Sequence, residues 1–452
     1  MQIADSGPVV ASGTPARGFL RGWPMIWLFL LLYIFSFIDR QIITMMVDPL
    51  KRDLGLTDFQ ISLMMGPAFG LFFALCGLQM GWLVDRYSRR WITIAGVMLW
   101  GAATLGSGLA RSFPGLLVGR MGVGMGEATL TPAAHSLIAE QFPRERLSTA
   151  IAVYSLGAVI GGGLAVVLGG AIVHLAAGAG EVHLPLVGEV RPWQLVFIVL
   201  GIATILLAPL VLMVREYDRK AAREATRLAV ASGATTEGIS LRQLFARHPM
   251  LFIGLPLGFG LLNVITNAYG AWTPTFMVRE FGWDVGKVGL AWGVQHIIAA
   301  VVGQIGGAML VDWLYRRGMT DAHTRYQIWG VLIGVPINIV ALWSGDPWIF
   351  LILNAVYYVL CYPFLGYAVS ALQIHTPQHL RGQVSAIFLA IITVIGSGIG
   401  APFTALVSDN LVRESGQLGM ALIIVSAVFA PLVIIMLSLV SRKLRAMHAA
   451  GE

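Results

Sequence analysis

Long apolar runs recur along the chain, separated by short polar stretches rich in Gly, Pro, Arg and Asp. Crossing a bilayer as a helix takes about 20 residues, and twelve runs are long enough. They cover 23–46, 59–84, 91–110, 114–139, 147–173, 193–214, 250–277, 286–311, 326–344, 347–374, 383–407 and 418–440. A backbone in hydrocarbon finds no water, so each run is predicted to be an α-helix that satisfies its own amides. Only Arg111-Ser112-Phe113-Pro114 separates the third and fourth runs, and only Gly345-Asp346-Pro347 the ninth and tenth. Such punctuation predicts tight connections between antiparallel neighbours. The expected fold class is all-α and polytopic, with twelve transmembrane helices.

The longest polar stretch, 215–249, divides the runs six and six. The expected organisation is a tail (1–22), a six-helix bundle (23–214), a linker (215–249), a second six-helix bundle (250–440) and a second tail (441–452). The first part of the linker, 215–230, is predicted to form a surface helix. The connection 174–192 carries Gly, Glu, His and Pro and is predicted to form a short hairpin. Its two histidines read as solvated side chains, with no metal bound.

Composition narrows the class. The chain is 57% hydrophobic and 12% charged, with mean hydropathy +0.78, whereas soluble domains carry about 25% charged residues. Most of the 30 Lys and Arg fall on the side of the N-terminus, which predicts both termini in the cytoplasm. The formal charge of +7 is thereby explained by basic loops, and no nucleic-acid partner is expected. Cys76 and Cys361 lie in apolar runs and offer neither a disulfide framework nor a metal cluster; no cofactor is expected. The nine histidines are scattered, His135 and His375 lack paired carboxylates, and no GxSxG or HExxH occurs. A membrane enzyme is therefore disfavoured.

Charges inside the runs are the candidate chemistry. Asp39 and Arg40 lie in the first run, Arg120 and Glu127 in the fourth. A charge at the centre of a membrane helix costs about 2.5–3.5 kcal/mol on insertion scales and usually marks a pathway. Arg120 and Glu127 are two turns apart, on one face. Asp39 lies roughly 24 Å along its run and Arg120 about 9 Å along an oppositely directed one, which puts them at similar depth in a core of about 30 Å. Burial favours a protonated carboxyl and a neighbouring arginine favours the carboxylate. Asp39 and Glu127 are thus candidate proton-coupling groups, while Arg40 and Arg120 are candidates to pair them or to hold an anionic head group. The second half has no midplane charge. It offers Asn263, Thr266, Asn267, Tyr269 and Trp272 in the seventh run, Gln295 and His296 in the eighth, and Tyr357, Tyr358 and Tyr362 in the tenth as candidate cavity residues.

A motif appears twice: Gly81-Trp-Leu-Val-Asp85-Arg86-Tyr-Ser-Arg89-Arg90, and Gly307 to Arg317 with Asp312, Arg316 and Arg317. Two equivalent halves imply a duplicated transporter with its site at midplane between them. The charged positions of both copies are read as a cytoplasmic gate.

The first copy resembles the major facilitator superfamily signature GxLxDRxGRR, with Ser88 in place of the second glycine. Arg120, Gly124, Gly126 and Ala128 resemble its fourth-helix signature RxxxGxGxA. The glycine-rich fifth run (Gly157, Gly161, Gly162, Gly163, Gly169, Gly170) is similar to the antiporter motif but lacks its proline. Phe37-Ile-Asp39-Arg40-Gln41, Gly122 to Ala128, Pro132-Ala-Ala-His135 and Tyr154-Ser-Leu-Gly157 resemble bacterial members of the spinster family, whose eukaryotic relatives move lysophospholipids and sphingosine 1-phosphate. The resemblance implies adjoining first and fourth helices, so that Asp39–Arg120 or Arg40–Glu127 pairing is reachable. It implies a monomeric, proton-coupled carrier of amphipathic anionic lipids in the bacterial inner membrane, embedded among membrane lipids and working by alternating access. A symporter of small organic anions such as sugar acids, and a multidrug exporter, are the rival readings.

Overall fold

The computed structural model describes residues 19–142, 144–179, 182–184, 188–214, 216, 240–362, 364–377, 380–411 and 417–449. Twelve membrane helices follow in order: α1 (Phe19–Ile42), α2 (Asp58–Met65 and Pro67–Arg86), α3 (Arg89–Leu109), α4 (Phe113–Glu127 and Leu130–Gln141), α5 (Arg144–Ala179) and α6 (Pro192–Leu207). The second half supplies α7 (Leu255–Phe281), α8 (Val285–Arg316), α9 (Ala322–Trp343), α10 (Pro347–Cys361 and Phe364–Ile374), α11 (Arg381–Leu411) and α12 (Gln417–Ala449). Several helices outrun their apolar segments; α12, at 33 residues, continues through what reads as a tail. Hydropathy marks the membrane slab, whereas helix propensity carries the backbone on into water. The expected hairpin forms from β1 (Val182–Leu184) and β2 (Gly188–Val190), antiparallel with His183 opposite Glu189. The surface helix expected at 215–230 lies outside the described residues apart from Glu216.

Ten stretches of the described helices are long and apolar enough to cross a membrane, one of them running through the break in α2 at Gly66. The two remaining spans, α4 and α10, are interrupted at equivalent places. Each has a first segment of 15 residues, followed by 12 in α4 and 11 in α10. Packing repeats in the same way: α1 lies on α5 as α7 lies on α11, and α3 lies on α6 as α9 lies on α12. Large apolar side chains such as Val118, Leu206, Met309 and Ile352 are exposed on the outer faces, as a lipid-facing surface requires.

The halves meet along α5–α8 and α2–α11. Glycines make both crossings close. A Cβ on Gly170 would lie 2.6 Å from the Val285 carbonyl oxygen, and one on Gly293 would lie 3.1 Å from that of Gly163. Gly66, at the break in α2, abuts the Ser397 carbonyl of α11. The opposite face of α5 uses Gly157 and Gly161 to seat α1. The glycine-rich run therefore serves two helix contacts at once, the small-residue packing that brings membrane helices together.

The two ends of the bundle differ. At the end where odd-numbered helices finish, Arg279 of α7 bonds Asp48 at 2.7 Å and Asp58 at 2.8 Å, joining the halves. Lys51 also reaches Asp58 at 2.7 Å, and the Phe59 amide donates to Asp409 of α11. Thr57 and Gln60 form a capping box that fixes this start of α2. At the even end, among the described residues, several polar ties lie within one half. Ser88 and the Arg89 amide donate to Glu216, while Asp321 receives Ser441, Arg325 and Arg445.

Candidate functional site

The four intramembrane charges form two separate pairs between α1 and α4. Arg120 Nη1 lies 3.1 Å from Asp39 Oδ1, and both side chains are 1% exposed. Asp39 also receives the Trp100 indole N–H at 2.7 Å and the Thr104 hydroxyl, both from α3. Arg120 spends its other donors on backbone: the carbonyls of Asp39 and Arg40, and that of Met64 next to the break in α2. This pair is saturated and ties four helices together. Breaking such a pair leaves an uncompensated buried charge.

The second pair is different in kind. Arg40 Nη2 donates to Glu127 Oε2 at 2.7 Å, and Ser36 donates to the same oxygen at 2.7 Å. Glu127 Oε1 and Arg40 Nε have no protein partner. The Arg40 side chain is 23% exposed and its guanidinium lies 4.5, 4.3 and 5.1 Å from the rings of Phe37, Phe69 and Phe73. Ring faces attract a cation most strongly where water is scarce.

The glycines of the fourth-helix motif explain why these groups meet. A Cβ on Gly124 would sit 2.5 Å from the Phe69 carbonyl oxygen, so α2 approaches α4 at the residue whose ring faces Arg40. A Cβ on Gly126 would sit 2.6 Å from Trp100 backbone, so α3 approaches where Trp100 serves Asp39. Each glycine seats the helix that completes one pair.

A cavity of about 430 Å³ lies between the halves. Of the four charges only Arg40 lines it. Tyr33, Phe37, Phe69 and Phe73 form much of one wall, with Thr131, His135 and Tyr154 towards the even end; Asn263, Asn267, His296, Thr393 and Ser397 face them. Among the described lining residues Arg40 is the only Lys or Arg. Tyr33 stacks on Tyr154 with centroids 4.6 Å apart.

Of the candidate cavity residues, Asn263, Thr266, Asn267, His296 and Tyr362 line the cavity. Tyr269, Trp272, Tyr357, Tyr358 and Gln295 do not, and their assignment is corrected. Tyr269 bonds Ser426 and Trp272 bonds the Ala401 carbonyl inside the second bundle. Tyr357 and Tyr358 are fully buried there. Gln295 lines a groove between α8 and α10 together with Val294, Ile298 and Val359. The gate candidates are described only in part. The surroundings of Gly81 and the Asp85 side chain lie outside the described residues, and Arg86 ends α2. Arg89 lies 3.4 Å from Glu216, and Arg90 lies beside Trp91. Arg316 donates to the Asp312 carbonyl, and Arg317 stacks on Trp313 at 3.9 Å. These contacts each stay within one half.

Sequence reasoning did not single out Ser36, Trp100, Thr104 or the phenylalanine cage. A signal existed: Tyr33, Phe37, Arg40 and Thr44 follow helical spacing on one stripe, as do Phe69 and Phe73.

Two six-helix halves around a central cavity, with an arginine on its wall that is bonded to a buried carboxylate behind it, define a multi-pass membrane transporter. The sequence profile of the Major Facilitator Superfamily matches residues 29–401, and the chain belongs to that family. It is 27% identical over 413 residues to an MFS-type efflux pump of Mycolicibacterium smegmatis, covering 90% of each chain. Protein spinster of Drosophila melanogaster is 24% identical over 322 residues, 70% of this chain and 50% of that one, so the chain spans half of that protein's length. A probable galactarate/D-glucarate transporter of Bacillus subtilis is 24% identical over 92% of this chain and 91% of that one. Among solved structures, a bacterial homolog of the human lysosomal transporter Spinster, inward-facing and unoccupied, superposes with TM-score 0.75 at 22% identity, covering 96% of this chain and 99% of that chain.

Proposed function

We propose that the protein is a proton-coupled secondary transporter of amphipathic anions of the lysophospholipid type. In this reading it sits in the bacterial inner membrane with both termini, and the even end, in the cytoplasm. The observation that carries the reading is the position of Arg40, bonded to Glu127 on one side and bordering the cavity on the other.

A guanidinium held by a carboxylate is a poor anion receptor. When Glu127 takes up a proton, the Arg40 fork is released to an anionic head group, and planar bidentate contact suits phosphate. Departure of the proton restores the pair and expels the anion. Asp39 is saturated and walled off from the cavity, so the proton is assigned to Glu127, while Asp39–Arg120 holds the helices that position it. A single cation in the wall fits one anionic group better than a dicarboxylate, which favours a lysolipid over a sugar diacid. The aromatic wall accepts an apolar chain. Rocking of the halves about the α5–α8 and α2–α11 crossings would open the odd end once Arg279 lets go of Asp48 and Asp58.

The reading is tested by thermal-shift screening with lysophosphatidylglycerol, galactarate and cationic drugs, followed by flux of the stabilising compound in proteoliposomes under a pH gradient. Stabilisation and pH-driven flux of lysophosphatidylglycerol are expected. Stabilisation by galactarate alone would overturn the substrate assignment.

A further inference from the structure

Phe69 occupies a position that neither ion pair explains. Its ring lies 4.3 Å from the Arg40 guanidinium carbon and 5.8 Å from that of Arg120, and the side chain is 2% exposed. Its ring is therefore within reach of the cations of both pairs. Its neighbour Phe73 stacks on it at 5.4 Å, and the close approach of α2 at Gly124 fixes the backbone beneath it.

We propose that Phe69 is a positioning residue for Arg40. Its ring holds the guanidinium aimed into the cavity after Glu127 is protonated. The inference rests on the proposed coupling through Glu127. Its physical basis is a balance. Protonating Glu127 deprives Arg40 of its counter-charge in a water-poor site, and the ring faces of Phe37, Phe69 and Phe73 offset part of that loss. The titratable and charged groups around Glu127 and Arg40 are Tyr33 and Asp39 on α1, Arg120 on α4, Tyr154 on α5 and Tyr362 at the break in α10, with His135 of α4 and His296 of α8 lining the same cavity. None of them comes from α2, so a change at Phe69 alters the cage without adding or removing a titrating group.

The test needs no substrate. Spin labels at Arg52→Cys and Leu411→Cys report the separation of the halves at the odd end; Leu411 is 72% exposed and Arg52 is also exposed. Cys76 and Cys361 are first replaced. Distance distributions in nanodiscs are then recorded against pH for the parent, Glu127→Gln, Phe69→Leu, Phe69→Met and Phe69→Trp. The parent is expected to change its distribution with pH and Glu127→Gln to lose that response. The ring-free variants are expected to move the midpoint to lower pH by about half a unit to one and a half units, and Phe69→Trp to restore it. Phe69→Met serves if Phe69→Leu does not fold. An unmoved midpoint in the ring-free variants, with the Glu127→Gln response lost, would overturn the inference alone. A pH response that persists in Glu127→Gln would instead overturn the coupling reading, and the inference with it.

Discussion

Glu127 accepts 2.7 Å hydrogen bonds from Arg40 and Ser36 on one oxygen and leaves the other without a protein partner. The Asp39–Arg120 pair nearby has no such slack. A buried carboxylate with spare acceptor capacity, bonded to a cation that borders a cavity, can change partners. A saturated pair cannot do so without loosening four helices.

The contrast separates the roles of the two arginines. Arg120→Ala strands the Asp39 carboxylate in a site 1% exposed and is expected to lower stability by about 3–5 kcal/mol. Arg40→Ala strands the equally buried Glu127 but is expected to cost less than half as much, because Glu127 is the acid assigned to take up a proton and the Arg40 side chain removed is itself 23% exposed. Thermal unfolding of both variants in one detergent checks the order; equal losses would mean that Arg40 is also mainly structural.

Arg40→Lys preserves the charge but loses the fork and most of the stacking on three rings. Apparent affinity for lysophosphatidylglycerol is expected to fall about tenfold, with the folded fraction unchanged. Isothermal titration or microscale thermophoresis reads this directly, and affinity equal to that of the parent would count against a head-group role.

Gly170→Leu introduces a side chain where a Cβ alone would lie 2.6 Å from the Val285 carbonyl oxygen. The α5–α8 crossing then cannot close, and an added side chain in such a contact costs about 1–3 kcal/mol. The variant is expected to fold, to show a wider odd end by spin-label distances and to transport at under a tenth of the parent rate. A normal distance distribution would remove these glycines from the account of the halves' motion.

Arg279→Ala removes the cation that bonds Asp48 and Asp58 across the halves. Charge-assisted hydrogen bonds contribute about 1.5–3 kcal/mol each, so the open-to-closed ratio at the odd end is expected to rise by about tenfold or more. Accessibility of a Thr44→Cys probe to a membrane-impermeant thiol reagent, added to oriented vesicles, measures it. Unchanged accessibility would place the seal in the glycine crossings alone.

The fold was legible because runs of membrane length carry their own boundaries. The interruptions of α4 and α10 were not, since a broken helix in lipid is as apolar as a whole one. Depth along two antiparallel helices made both pairings reachable, with Asp39 and Arg120 level. It did not show that both pairs coexist, because that rests on Trp100, Thr104 and Ser36 arriving from other turns and another helix. The second half was read less well for a related reason. α7 is buried on most of its faces, so Asn263 on the cavity and Tyr269 within the bundle look alike in sequence. Helix phase there is set by what packs around the helix, not by an amphipathic stripe.

The central claim is that Glu127 carries the proton that substrate movement requires. Proteoliposomes loaded with a pH-sensitive dye, given lysophosphatidylglycerol without an imposed gradient, measure it most directly. Parent protein is expected to move protons on addition of the lipid, and Glu127→Gln to bind the lipid but move none. Proton movement in Glu127→Gln at the parent rate would contradict the account.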